Sequence, residues 1–289
     1  MICFYHDDAD GRCAGAIVHK YIQEEFPNTS KKFIKIDYGW SVPFDIVEPN
    51  EQVYIVDFHF SVENMKKLFD ITTNVKVFDH HKSAVEVVNK YPEDVWVCLD
   101  PDGDFAGCEL VWLNLFFGEE IPTAVKLIAD RDKWAWKYGE KTAKFNTGLK
   151  LYSHQPEDKI WNELLDDEGN RHILEEIIYR GYTCMQYRDN ICKEFRDAWG
   201  FEAILDGYKC YVINLLLRGS SSEAFGDKLK KYDVCAAVVY RNGLWKVSLR
   251  SEKVDVSEIA KKFPGGGGNA NSAGFEGVKE LPFISMGEI

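Results

Sequence analysis

Three short apolar runs near the start of the chain end in residue types that bind hard metal ions. Ile2–Tyr5 leads into His6-Asp7-Asp8-Ala9-Asp10-Gly11, Val53–Val56 into Asp57, and Val75–Phe78 into Asp79-His80-His81. Each acid on its own reads as a helix N-cap, and adjacent histidines on a strand point to opposite faces. The repetition changes that reading, because open parallel sheets bind ligands beyond the carboxyl ends of their strands. Asp with His and no nearby Cys favours Mn²⁺ or Mg²⁺ over a closed thiolate zinc site. Two such ions sharing carboxylates can clamp the attacking and leaving oxygens of a phosphoryl displacement. His6 and Asp8 alternate along an extended segment and can face one ion. Asp10 can turn toward a second, and Asp57, alone at its strand end, is the natural bridge.

Positioning such a cluster requires a parallel sheet. Apolar runs at Ile2–Tyr5, Phe33–Ile36, Val53–Val56, Val75–Phe78 and Trp96–Leu99 alternate with helical spacing at Cys13–Phe26, Val62–Phe69 and Cys108–Phe117. This pattern predicts an α/β, doubly wound domain with a parallel sheet. A long helical pattern covers His172–Trp199 and stops at Gly200, a common C-cap residue. Strands are predicted next at Ala203–Leu205, Tyr211–Leu217, Val234–Tyr240 and Trp245–Leu249, with Arg241-Asn242-Gly243 as a hairpin turn. Helices at Ser222–Leu229 and Val256–Phe263 complete a smaller mixed α/β domain. The expected division is a metal-binding catalytic domain over 1–175, a connecting helix over 176–200, and a substrate-binding domain with a glycine-rich loop over 201–289.

Composition sets the outer limits. The 289 residues are 45% hydrophobic and 28% charged, ordinary for a globular protein of two domains. A net charge of −12 repels duplex DNA and anionic membranes, so any polyanionic ligand must be drawn in locally. The eight cysteines lie too far apart for zinc ribbons or thioredoxin-like motifs, and buried free thiols are expected rather than disulfides. The acids at Asp7 and Asp8 are unlike a signal peptide, and the longest apolar run, Val234–Tyr240, falls far short of a membrane span. The expectation is a soluble, cytoplasmic protein.

His6-x-Asp8-x-Asp10-Gly11, Asp57 and Asp79-His80-His81 together resemble the motifs of the DHH phosphoesterase superfamily. Gly107-Cys108-Glu109-Leu110-Val111-Trp112 is similar to the small-residue helix start that follows the signature. Ala129-Asp130-Arg131-Asp132-Lys133-Trp134 resembles the fourth metal-binding motif. Val247–Ser251, Ile259–Phe263, Gly266-Gly267-Gly268-Asn269 and Ser272–Phe275 follow in the order of the family's associated substrate-binding domain. The resemblance spans nearly the whole chain and is weakest across 140–200.

The resemblance implies that His6, Asp8 and Asp57 hold one Mn²⁺, and that Asp10, Asp57, His80 and Asp130 hold another, with Mg²⁺ as the substitute ion. Asp132 competes with Asp130 for the last place. His81 is expected near the phosphate, positioning it or donating a proton, while His59 is expected to be structural or solvent-facing. Arg250 offers a bidentate fork to phosphate, Ser251 a hydroxyl, and Gly266, Gly267 and Gly268 an approachable backbone. Asn269 departs from the family, which usually has His there, and Asn cannot deliver a proton. Trp134 and Trp136 are candidate base-stacking residues. The function these expectations describe is Mn-dependent hydrolysis of phosphodiesters in short single-stranded oligonucleotides or small nucleotides. A pyrophosphatase or polyphosphatase, and a non-catalytic nucleotide-binding protein, are the alternatives.

Overall fold

A computed structural model describes residues 1–91, 93, 95–167, 171–214 and 221–285. Two compact units, Met1–Cys184 and Met185–Ile289, divide inside a long helix. The first unit contains β1 (Ile2–His6), α1 (Ala9–Glu25), β2 (Lys32–Ile36), β3 (Val53–Val56), α2 (Val62–Phe69), β4 (Val75–Asp79), α3 (Lys82–Val88) and β5 (Trp96–Leu99). It continues with α4 (Gly107–Leu115), α5 (Thr123–Asp132), α6 (Glu140–Leu149), α7 (Ile160–Leu164) and the start of α8 (Arg171–Trp199).

Its five strands are all parallel, in the order β2-β1-β3-β4-β5. Side chains alternate across the sheet, and both faces are buried. Cys3, Tyr5, Tyr54, Val56 and Phe78 pack with α1, α4 and α5, whereas Ile2, Phe4, Val53, Ile55 and Val77 pack against Met65 and Leu68 of α2. Double burial explains why these strands read as continuous apolar runs rather than alternating ones. The α/β, doubly wound architecture expected from the sequence is the one found. Order reverses between β1 and β3, which makes their carboxyl ends the topological switch point.

Helices α6 and α8 meet through two glycines. A Cβ on Gly148 would lie 1.9 Å from the Ile177 carbonyl oxygen, and one on Gly181 would lie 1.8 Å from that of Lys144. No side chain fits there without separating the helices.

The second unit contains the end of α8, then β6 (Phe201–Leu205), β7 (Tyr208–Asn214), α9 (Ser221–Phe225), α10 (Lys228–Lys231), β8 (Val234–Arg241) and β9 (Leu244–Arg250). α11 (Val256–Ala260), β10 (Gly267–Asn269), β11 (Ser272–Val278) and β12 (Ile284–Ser285) follow. The sheet runs β10-β11-β9-β8-β7-β6-β12, with β7 and β8 parallel and the other pairs antiparallel. Asn242 (φ 53°) and Gly243 (φ 82°) form the hairpin turn read from the sequence. The strand expected to reach Leu217 is seen to Asn214, and 215–217 lie outside the described residues. The helix expected over Ser222–Leu229 is two short pieces, broken where Gly226 takes φ 54°. The glycine-rich loop is corrected in part, because Gly267–Asn269 pair with Gly274–Ser272 as an edge strand. Among the described residues all eight cysteines are free, and no helix is long and apolar enough to cross a membrane.

Replacing Gly181 with Ala should destabilise the protein by about 3 kcal/mol, the upper end of ordinary overpacking, because the obstacle is backbone rather than a movable side chain. Urea midpoints for wild type and variant, compared at equal m-value, measure this.

Candidate metal centre

The register of the first sheet lines up the reacting groups. Tyr5 pairs with Val56, and Val56 with Phe78, so the next residues, His6, Asp57 and Asp79, end three neighbouring strands at one level. Asp57 continues the ladder by donating its N–H to the Phe78 carbonyl (2.8 Å) and then takes φ 54°. Asp is among the residues that tolerate this left-handed conformation, which turns the chain away at the strand end.

Close packing opens the space around Asp57. A Cβ on Gly107 would lie 2.7 Å from Asp57 Cβ and 3.0 Å from Asp10 Oδ2, so a larger residue at the start of α4 would intrude on both acids. Gly11 is constrained likewise, since a Cβ there would lie 2.2 Å from the His6 carbonyl oxygen. Asp10, almost wholly buried, accepts N–H bonds from Gly107 (2.7 Å) and Cys108 (3.0 Å) at the positive end of α4. Asp8 caps α1 by accepting from the Gly11 N–H (2.9 Å), and its other oxygen lies 3.1 Å from His6 Nδ1.

Asp57 is the exception. It is 1% exposed, and neither carboxylate oxygen has a hydrogen-bond partner among the described residues. His6 Nδ1 lies 3.4 Å from Oδ2 and His80 Nε2 lies 3.2 Å from Oδ1, but neither approach has hydrogen-bond geometry. Ligand atoms of His6, Asp57 and His81 lie within 4.8 Å of one another, as do those of Asp10, His80 and Asp132. Asp57, a member of the first set, also reaches the second through its approach to His80. Buried oxygens without donors, flanked by imidazoles and further carboxylates, fit hard divalent cations.

The electrostatics are those of a centre that must take up positive charge. Burial pushes Asp57 up to about 8, against the opposing pull of His6 and with Asp8 and Asp132 reinforcing the rise. Burial also raises Asp10 well above the carboxylate range, helped by Asp57 and Asp132. Burial raises Asp132 as well, against the pull of His80. The carboxylates of Asp57 and Asp8 hold His6 up to about 11. Protons therefore hold the place of cations, and metal binding must release them.

Asp79 orders the second histidine. Its Oδ1 accepts from the backbone N–H of His80 (2.8 Å) and His81 (3.1 Å) and from His81 Nδ1 (2.7 Å). Its Oδ2 lies 2.6 Å from His59 Nδ1. Burial would raise Asp79, but His59 and His81 outweigh it and hold the carboxyl well below its usual range. Asp79 in turn lifts His81 to about 9. His59 is buried and bound to Asp79, so the structural half of the sequence expectation is the one the packing supports; it does not face solvent.

Three sequence expectations need correction. Asp130 points away from the cluster, its carboxylate accepting from the Lys137 N–H (2.7 Å), the Tyr138 N–H (3.1 Å) and the Thr142 hydroxyl. Asp132 takes the place beside His80, at 3.4 Å. Ser251 is buried, and its hydroxyl donates to the Asp233 carbonyl (2.7 Å) while accepting from the N–H groups of Lys253 and Val254, so it serves a turn rather than a ligand. Gly266 and Gly268 answer to the protein's own packing. A Cβ on Gly266 would lie 1.8 Å from the Ala260 carbonyl oxygen, and Gly268 takes φ 133°. Gly267 alone would meet nothing within 4 Å. Arg250, Ser272 and Asn269 share one rung of the second sheet, and Arg250 Nη1 donates to the Leu249 carbonyl (2.7 Å).

Sequence reasoning missed Asp37 and Tyr38, which follow β2. Asp37 Oδ1 lies 3.7 Å from His6 Nε2, and the Tyr38 ring lies 6.1 Å from both His6 and His81. The strand-end rule that found the other acids, applied to Phe33–Ile36, finds Asp37 too.

Residues 211–283 match the DHHA1 domain family. A protein of Acanthamoeba polyphaga mimivirus is 26% identical over 246 residues, covering 81% of this chain and 56% of that protein. The chain thus spans little more than half the length of that relative. Among solved structures, the fold is similar to the DHH domain of a member of the S1p family of ribosomal proteins (TM-score 0.60, 14% identity, 98% of this chain and 82% of that one). It is also similar to a pGpG-specific phosphodiesterase from Vibrio cholerae (TM-score 0.51, 12% identity, 99% and 93%) and to exonuclease RecJ bound to manganese (TM-score 0.50, 16% identity, 95% and 84%).

Two outcomes follow from the charges. Asp57 contributes stability that is fully present below pH about 4 and is lost as the pH rises through about 8. His81 and His6, also raised, contribute stability present below about 6.5 and lost as the pH climbs through about 9 for His81 and about 11 for His6. Asp79, lowered, acts only on the acid side, its contribution fading below pH about 4. Calorimetry in EDTA should therefore give a lower melting temperature at pH 9 than at pH 6.5, and Mn²⁺ should raise it more at pH 9. Identical melting curves in EDTA and Mn²⁺ would remove the metal centre. In addition, Asp132→Asn should lose most of the Mn²⁺-induced rise, whereas Asp130→Asn should destabilise by about 2 kcal/mol whether or not metal is present.

Proposed function

We propose that this chain, a DHH-family protein by its fold and its DHHA1 domain, is a two-metal phosphoesterase that hydrolyses phosphodiesters of short oligonucleotides or small nucleotides with Mn²⁺. The observation that carries the reading is the buried, donor-free carboxylate of Asp57, which belongs to one set of ligand atoms and approaches His80 of the other. His6, Asp8 and Asp57 would hold one ion, and Asp10, Asp57, His80 and Asp132 the other. Bound divalent ions supply an activated water nucleophile and neutralise charge on the transferring phosphoryl group.

The remaining chemistry belongs to the chain. His81, lifted to about 9 and fixed by Asp79 at 2.7 Å, carries a proton at neutral pH and can deliver it to the leaving oxygen. Asp79 holds the ring through Nδ1, which leaves Nε2 to face the substrate. In the second unit, Arg250 offers a planar fork for phosphate oxygens. Gly267 lies in an edge strand, where neither packing nor a side chain obstructs approach to the backbone. Asn269, on the same rung as Arg250, can donate a hydrogen bond but no proton.

A panel of dinucleotide, cyclic dinucleotide, nucleoside bisphosphate and pyrophosphate, assayed with Mn²⁺, tests the substrate class. Asp57→Asn should lower kcat/KM on the preferred substrate by more than about 100-fold, beyond what loss of an outer-shell partner costs, while circular dichroism stays native. Full activity in that variant would reject the mechanism, and pyrophosphate as the preferred substrate would reject the substrate class.

A further inference from the structure

The turn that follows Asp132 carries backbone strain. Trp134 takes φ 57° and Trp136 φ 54°. Bulky residues rarely enter this region, and each such residue costs of order 1 kcal/mol or more. Turns elsewhere in the chain meet the same demand with Asn, Asp or Gly. Here two indoles occupy it, and the surrounding bonds hold them there. Asp130 accepts from the N–H groups of Lys137 and Tyr138 (2.7 and 3.1 Å), and its own carbonyl accepts from the Ala135 N–H (3.1 Å). Lys133 Nζ is fixed by the Asp104 carbonyl and the Glu109 carboxylate, both at 2.7 Å.

The product of this bracing is one presented ring. The Arg131 guanidinium lies 4.0 Å from the Trp134 ring centroid and 5.0 Å from that of Trp136, and the two indoles meet edge to face at 5.1 Å. Trp136 is half-buried and serves as the wall. Trp134, backed by Arg131, remains 64% exposed. Only Lys133 separates it from Asp132, whose carboxylate lies 3.4 Å from His80, so its Cα is within about 7 Å of the Cα of a residue of the proposed metal centre. A large apolar surface left in water, on a braced backbone beside a phosphoryl-transfer site, has an obvious class of ligand. A nucleobase hangs one sugar away from the reacting phosphorus, and base-on-indole stacking needs no hydrogen-bond code.

We propose that Trp134 is the nucleobase-stacking platform of this site, fixed in advance by the Asp130-anchored turn and the Arg131 backing. The inference rests on the phosphoesterase reading above and deepens it, since it makes a base next to the scissile phosphate part of what is recognised. The bracing supplies the affinity economically, because no side-chain freedom is lost when the base lands. It also assigns Asp130 a role as a positioning residue, acting through the turn rather than on an ion.

The test uses binding and turnover separately. Titration calorimetry with Ca²⁺ in place of Mn²⁺ compares 5′-phosphorylated diadenylate with its abasic counterpart, which keeps the sugars and phosphates. Wild type should prefer the base-bearing ligand by about tenfold, within the range of one stacked base. Trp134→Leu should erase that ratio and Trp134→Phe should keep most of it, each with native circular dichroism; the exposed position makes misfolding a minor concern, and the Phe variant controls for it. Equal affinities for the two ligands in wild type, or an unchanged ratio in Trp134→Leu, would overturn the inference, as would failure of the base-bearing ligand to bind. Turnover of the same dinucleotide with Mn²⁺ is scored independently. Base-dependent binding without cleavage would sink the phosphoesterase reading and leave the platform standing.

Discussion

The structure of the first unit is organised around one buried carboxylate that lacks a donor. Removing a carboxylate from water costs several kcal/mol unless charge or hydrogen bonds replace the lost solvent. Asp10 recovers that cost from two N–H groups at the start of α4, and Asp79 from backbone and imidazole donors. Asp57 recovers it from neither, although the fold brings it to the same depth. Its left-handed backbone and the missing Cβ of Gly107 are both arrangements that admit the side chain rather than pair it. Such a position is maintained only by a compensating positive charge, carried by protons or by ions. The high values of Asp57, Asp10 and His6 are the protonic form of that compensation.

Sheet topology explains why the charge concentrates there. A strand order that reverses between β1 and β3 leaves a gap at their carboxyl ends, since the following connections leave toward opposite faces. Side chains at that edge have no covering helix on their own axis, so His6 and Asp57 reach a shared space that α1 and α4 line with their N-termini. This part was legible in the sequence. Strand ends were marked by apolar runs, and the ligand types were marked by chemistry; the close packing at Gly11 and Gly107 came only with the structure.

Where legibility failed, the cause was phase or context. Asp130 and Asp132 are two residues apart on α5, hence about 200° apart around the helix axis, and only one of them can meet His80. Spacing offers both; the side that α6 covers decides, and Thr142 together with the Lys137 and Tyr138 amides captures Asp130. The Gly267–Asn269 segment failed for a different reason. Glycine has little strand preference of its own, and its extended form is imposed by pairing with β11, a long-range contact that no local window contains. Ser251 is similar, its hydroxyl claimed by the Asp233 carbonyl from across the second sheet. Asp37 was legible and overlooked: it follows the run Phe33–Ile36 just as Asp79 follows Val75–Phe78, and each run carries one lysine.

Backbone strain separates structural turns from the working surface. Among the described residues, six other than glycine take positive φ: Asn50, Asp57, Trp134, Trp136, Asp206 and Asn242. Asn50, Asp206 and Asn242 are short polar residues of the tolerant kind, and the last two precede glycines in hairpin turns. Their conformation is ordinary turn chemistry and needs no further cause. Asp57 is tolerant in type but buried, and its conformation turns the chain away at the end of its strand. The two tryptophans are intolerant in type, and they stand beside Asp132 rather than at a remote loop. Strain of this kind persists only where neighbouring bonds over-determine it, and here those bonds converge on Asp130, the residue that the metal chemistry left unused. Under the proposed function the same helix end would serve two tasks: Asp132, beside His80, would meet the cations, and Asp130 would hold the surface against which their substrate lies.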